Sequence, residues 1–130
     1  MTDKEYRTIK KRCKKILDKW CKTIGMGWYD LQIIWKRDFD DEVPNCDAKT
    51  NALWQYRKAY LTLYLSKLIN DTDEVIEDTI VHELCHILTN PTWNLIDNPT
   101  TEQIKINEFT TEQIKNALIW VRKAGKNDKL

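Results

Sequence analysis

Residues 72–89 read TDEVIEDTIVHELCHILT, and Ile76, Ile80, Leu84, Ile87 and Leu88 recur in them at the three-and-four spacing of an amphipathic helix. Just upstream, INDTDEV supplies acidic caps and first-turn carboxylates where backbone N–H groups favour negative charge. The spacing predicts a helix over 72–89. It should stop at Asn90-Pro91, because proline cannot continue the ladder and restricts the residue before it. His82 and His86 stand off the apolar stripe, and they are the only two histidines in the chain.

Residues 82–86, HELCH, place the two imidazoles at i and i+4, about one turn apart on one helical face, where both reach one tetrahedral ion. Glu83 lies beside them, off the ligand axis. Zn²⁺ lowers the pKa of a bound water towards about 7 and polarises a carbonyl, while a nearby carboxylate takes the water's proton. One zinc ion on His82 and His86, with Glu83 as general base and then acid, is the chemistry this HExxH spacing implies. A chance string with two hydrogen-bonded structural histidines is the plain alternative. Cys85, inside the motif, is expected to be a small core residue.

A catalytic zinc site takes three protein ligands as a rule. With no third histidine, the sites built on three imidazoles are excluded, and Asp97, Glu102 and Glu108 remain as candidates. Helical patterning continues downstream, from Pro99 as a favoured first helical residue through Ile104, Ile114, Leu118 and Val121 to Gly125. TTEQIK occurs at Thr100 and again at Thr110, too short a period for a repeat architecture.

With Asn107, Glu108, Thr111 and Glu112 placed after HELCH, the chain resembles the gluzincins, the thermolysin-like clan, whose glutamate ligand sits in an NExxT or NExxSD setting on a second helix. The resemblance implies Glu108 as third ligand and gives Glu112 a hydrogen bond to a zinc-binding histidine. The layout is similar to the minigluzincins, stand-alone miniatures of that clan, over most of residues 28–121. This likeness implies a zinc metallopeptidase cleaving peptide or protein substrates, with the strand before the active-site helix, Lys58–Leu65, pairing with extended substrate at the cleft rim. A terminal segment can occupy the cleft in such proteins, which makes Lys123–Leu130 a candidate latency element. A tyrosine such as Tyr56, Tyr60 or Tyr64 would take the oxyanion role, with no spacing to choose among them.

Upstream, Trp28–Trp35 (WYDLQIIW) is rich in aromatic and β-branched residues and predicts a strand, followed by a long polar loop over Lys36–Lys49. Asp38, Asp40, Asp41 and Glu42 lack the glycine and terminal glutamate of a calcium loop, so a solvated turn is expected. Further strands are predicted over Thr50–Tyr56 and Lys58–Leu65, the second alternating so that one face packs and the other meets solvent or ligand. Connections too short for helical crossovers point to a mostly antiparallel three-stranded sheet. Ile9, Cys13, Ile16, Leu17, Trp20 and Ile24 predict a first helix over Asp3–Thr23, ended by Gly25 and Gly27.

The expected fold is α+β: one small domain over residues 1–130, with an N-terminal helix, the short sheet, the HExxH helix and a C-terminal glutamate helix. The formal net charge of +1 gives the whole molecule no field to steer it to nucleic acid or membrane. The basic face of the first helix could hold phosphates, as in a DNA-associated protease, but a solvated face is the commoner meaning of such a run. No apolar run reaches the roughly 18 residues of a spanning helix, and MTDKEYRTIKKR has no signal-like apolar segment behind it. A cytoplasmic monomer is expected. Four scattered cysteines without a CxxC pair predict neither disulfides nor a cysteine zinc site.

Overall fold

Helix α1 spans Asp3–Thr23, as its apolar spacing predicts. Thr2 and Glu5 close a capping box at its start, each side chain bonded to the other's backbone N–H. Gly25, at a φ of 68°, takes the left-handed conformation that ends the helix without a Cβ penalty. The structure, a computed structural model, describes residues 1–38 and 46–127, without the side chains of Lys126 and Asn127. The expected loop carboxylates Asp40, Asp41 and Glu42, and the end of the tail from Asp128 to Leu130, lie outside the described residues.

Strands β1 (Asp30–Lys36), β2 (Ala48–Leu53) and β3 (Lys58–Tyr64) form one sheet in the order β1-β3-β2. β2 pairs antiparallel with β3, Ala48 opposite Leu63 and Leu53 opposite Lys58. β1 pairs parallel with β3, Asp30 opposite Lys58 and Lys36 opposite Tyr64. The sheet is therefore mixed, where mostly antiparallel pairing was expected. The loop after β1 together with β2 itself makes the crossover, giving the chain the dozen or more residues that a parallel return requires. On β3 the second face is also buried at Thr62 and Tyr64, so the expected open face is confined to the strand's start.

A short helix, α2 (Leu65–Leu68), leads into α3 (Asp73–Trp93), and α4 runs Thr101–Asn127. This is a small α+β domain, and no helix among the described residues is long and apolar enough to cross a membrane. Thr72 caps α3 by accepting from the Val75 N–H at 3.3 Å. Contrary to the expected stop at Asn90, α3 continues through Pro91. The proline sits two residues from the end, so it removes only the ladder bond to the Ile87 carbonyl, while Asn94 still donates to the Asn90 carbonyl at 2.9 Å. α4 begins at Thr101 rather than at Pro99, and Thr100 caps it: its hydroxyl accepts from Gln103 N–H and the Gln103 side chain accepts from Thr100 N–H. α4 also runs on past Gly125.

One cluster of buried side chains joins Ile9, Cys13 and Trp20 of α1 to Leu61 and Leu63 of β3 and Ile76, Ile80 and Leu84 of α3. Part of α1's basic face is paired within the molecule, Arg12 with Asp73, Lys19 with Glu77 and Lys10 over the Trp35 ring, while Lys11, Lys14, Lys15 and Lys22 are exposed. Glu77 takes two donors on one oxygen, Lys19 Nζ at 2.7 Å and Trp20 Nε1 at 2.8 Å. Burial pushes its pKa up, but these two hydrogen bonds together with the Lys19 and Lys123 charges outweigh burial and hold the carboxyl below its usual range. A lowered folded-state pKa stabilises the fold above the unfolded-state value, and that contribution is lost as pH falls through the folded-state value. The stability difference between wild type and Glu77→Gln, read as urea midpoints, should therefore narrow as pH drops below the ordinary carboxylate range. A difference constant with pH would show that Glu77 is not linked to acid unfolding.

Candidate metal centre

α3 presents two faces. Ile76, Ile80, Leu84 and Ile87 enter the core, while Asp78, His82 and His86, each four residues on, form a polar stripe that meets α4. On α4 the facing residues are Glu108, Glu112 and Lys115.

The Nε2 atoms of His82 and His86 lie 3.0 Å apart, their rings nearly perpendicular. Glu108 reaches across with one oxygen to each: Oε2 is 3.3 Å from His82 Nε2 and Oε1 is 3.3 Å from His86 Nε2. Taken with one Glu108 oxygen, the three donor atoms lie within 4.8 Å of one another, and this is the group of three candidate ligands found among the described residues. Donors bound at about 2.0–2.2 Å to a tetrahedral zinc stand roughly 3.3–3.6 Å apart. The 3.3 Å contacts of Glu108 match that spacing and the 3.0 Å imidazole pair falls a few tenths of an ångström short of it, so the set fits one ion after a small opening of the two rings. Asp97 and Glu102, the rival third ligands, are not part of the group.

His82 Nδ1 stands 2.5 Å from Glu112 Oε1. A carboxylate only accepts, so Nδ1 is the donor of this contact, and Nε2, which faces His86 and Glu108, is the nitrogen left for a metal. Lys115 holds the second oxygen of Glu112 at 2.9 Å, and its hydrogen bond is the main reason the Glu112 carboxyl sits below its usual range.

Glu83 is 9% exposed and borders a cleft of about 320 Å³ with Thr50, Ala52, His86, Trp93 and Glu108. Thr50 of β2 fixes it from across the sheet, its hydroxyl 2.5 Å from Glu83 Oε2 and 3.1 Å from the Glu83 carbonyl. β3, expected at the rim, is paired on both sides and cannot accept a further strand. β2 takes that place, with Ala48, Lys49, Thr50 and Ala52 along the cleft and no strand among the described residues on its outer edge. Tyr56, Tyr60 and Tyr64 do not line this cleft. Cys85 is fully buried, which pushes its thiol up to about 11 and suits a core residue.

Thr50, Asp78 and Lys115 are site residues that motif and spacing did not single out. Asp78 was within reach of helical arithmetic, lying four residues before His82, and Lys115 lies seven beyond Glu108. Thr50 carried no signal, since its partner is 33 residues away on another element. The chain matches no protein-family model, no curated protein and no solved structure.

Proposed function

We propose that this chain is a zinc-dependent metallopeptidase of gluzincin type, an endopeptidase that binds an extended segment of its substrate. The observation that carries the reading is the convergence of two imidazoles and one carboxylate from two helices, beside a separately held and nearly buried carboxylate. His82, His86 and Glu108 would hold one Zn²⁺, which on binding supplies a Lewis acid for the scissile carbonyl and acidifies a coordinated water.

The protein's own groups do the rest. Glu83 accepts the proton of the attacking water and returns it to the leaving amine, acting in turn as base and acid. Thr50 keeps that carboxylate aimed into the cleft. The outer edge of β2 offers backbone N–H and C=O groups to an extended peptide, which orients the scissile bond before reaction. Glu112 keeps His82 in its binding tautomer. An intact general base favours an enzyme over a purely structural metal site, which has no use for one.

Bound zinc measured by elemental analysis tests this directly. Wild type should hold about one zinc per chain. His86→Ala and Glu108→Ala should each weaken zinc binding by more than the roughly 10–100-fold that loss of an outer partner costs. Wild type without affinity for zinc would overturn the assignment, and a Glu108→Ala variant of normal affinity would move the third ligand elsewhere.

A further inference from the structure

Three polar rungs cross between α3 and α4: Asp78 with Lys115, His82 with Glu112, and His86 with Glu108. Positions advance by four along α3 and retreat by three or four along α4, so the rungs join single faces of two antiparallel helices. The metal ligands use the last rung and half of the middle one. The first rung supplies neither a candidate ligand nor the base, yet it contains the most unusual residue of the set.

Lys115 is 3% exposed. A buried lysine is rare unless paired, and this one is paired twice, at 2.7 Å to Asp78 Oδ2 and 2.9 Å to Glu112 Oε2. Burial favours the neutral amine, but the two carboxylates outweigh it and keep the group cationic. Asp78 and Glu112 are about half exposed, so water could solvate either without the lysine. Neutralising them is therefore not a sufficient reason to bury an ammonium group. What the lysine does is restrict Glu112. That side chain is long, with rotamer freedom to lose, and a contact with His82 alone would leave its carboxylate able to swing. With Oε2 held by Lys115, Oε1 is left on His82 Nδ1.

We propose that Lys115 is a positioning residue of the metal centre, which by gripping one oxygen of Glu112 aims the other at His82 Nδ1 and so fixes the tautomer and direction of that ligand. The inference rests on the zinc reading above, but its effect on His82 is present in the metal-free protein. The chain has two histidines, so imidazole ¹⁵N spectra of labelled apo protein contain only two residues' ring nitrogens.

In wild-type apo protein, in mildly alkaline buffer, His82 should show one tautomer with the proton on Nδ1. In Lys115→Met, where methionine fills the space of the lysine stem, the two His82 nitrogen resonances should move toward each other as tautomers mix. The zinc dissociation constant, measured by chelator competition, should rise about tenfold. In a Glu112→Gln background, Lys115→Met should add little to either readout, because one acts through the other. An unchanged His82 spectrum in Lys115→Met, or effects on zinc affinity that simply add, would overturn the proposal. Lys115→Gln is measured in the same way should the methionine variant not fold. If neither folds, the lysine is holding α4 onto α3 rather than aiming an imidazole, and the proposal also falls. Failure of the zinc reading looks different: wild type would bind no zinc while the His82 spectrum still responded to Lys115.

Discussion

A Glu83→Gln variant is expected to bind zinc as tightly as wild type while its chelator-sensitive cleavage of an unfolded protein falls by about 10²–10⁴-fold, the usual contribution of a positioned general base. Glutamine keeps the length of the side chain and an oxygen for the Thr50 hydroxyl, so the contact that orients residue 83 survives. Lost is the group able to take a proton. The candidate ligand atoms belong to His82, His86 and Glu108, while the Glu83 carboxylate is held by Thr50, so metal affinity should not follow activity down. Single-turnover cleavage at saturating substrate, with zinc content measured on the same samples, separates the two. Full activity in Glu83→Gln would move the base to another residue, and joint loss of zinc and activity would make Glu83 part of the metal-binding set.

Trp20→Ala should be the most damaging single change to the fold. The indole is fully buried where α1 meets α3, and its Nε1 donates to Glu77. Large-to-small changes at such sites cost about 3–5 kcal/mol, because the lost transfer energy is joined by a cavity that neighbours only partly fill. Glu77 would also keep Lys19 as its remaining side-chain donor. Set against the roughly 5–15 kcal/mol of a typical domain, that is a large fraction of the whole. The urea midpoint should fall steeply with little change in slope. Added zinc should recover part of the loss, since an ion that binds only the folded chain stabilises it by mass action. A midpoint within experimental error of wild type would mean that α1 is not integral to the core.

The three long helices were legible in the sequence because each carries its own period, while α2, at four residues, carries none and was not foreseen. α1 follows the expected bounds at both ends, and α3 departs only at Pro91, where the position of the proline near the last turn mattered more than its identity. The imidazole pair was legible for the same reason, since i and i+4 on a helix fix a distance without reference to the rest of the chain. Sheet order was not. The alternation in Lys58–Tyr64 marks a strand but not its neighbours, and the parallel partner depends on how the segment between β1 and β3 travels. That one uncertainty misplaced the cleft rim, assigning to β3 an edge that belongs to β2. Thr50 was hidden with it, because a residue's role at an edge is invisible until the edge is known. Glu108 was chosen over Asp97 and Glu102 by resemblance rather than by register, and its carboxylate lies between the two imidazoles.

The outer edge of β2 has a liability as well as a use. An edge that no strand among the described residues covers is a template for any extended chain, including a partly unfolded copy of the same protein. The sequence of the strand, AKTNAL, limits that hazard: it is six residues long, has no valine or isoleucine, and carries a lysine near its start. Two such strands laid edge to edge would bring two ammonium groups onto one short ladder and gain little apolar contact in return. Replacing Lys49 and Asn51 with β-branched apolar residues would remove this gatekeeping, and the protein would become prone to aggregate through this edge.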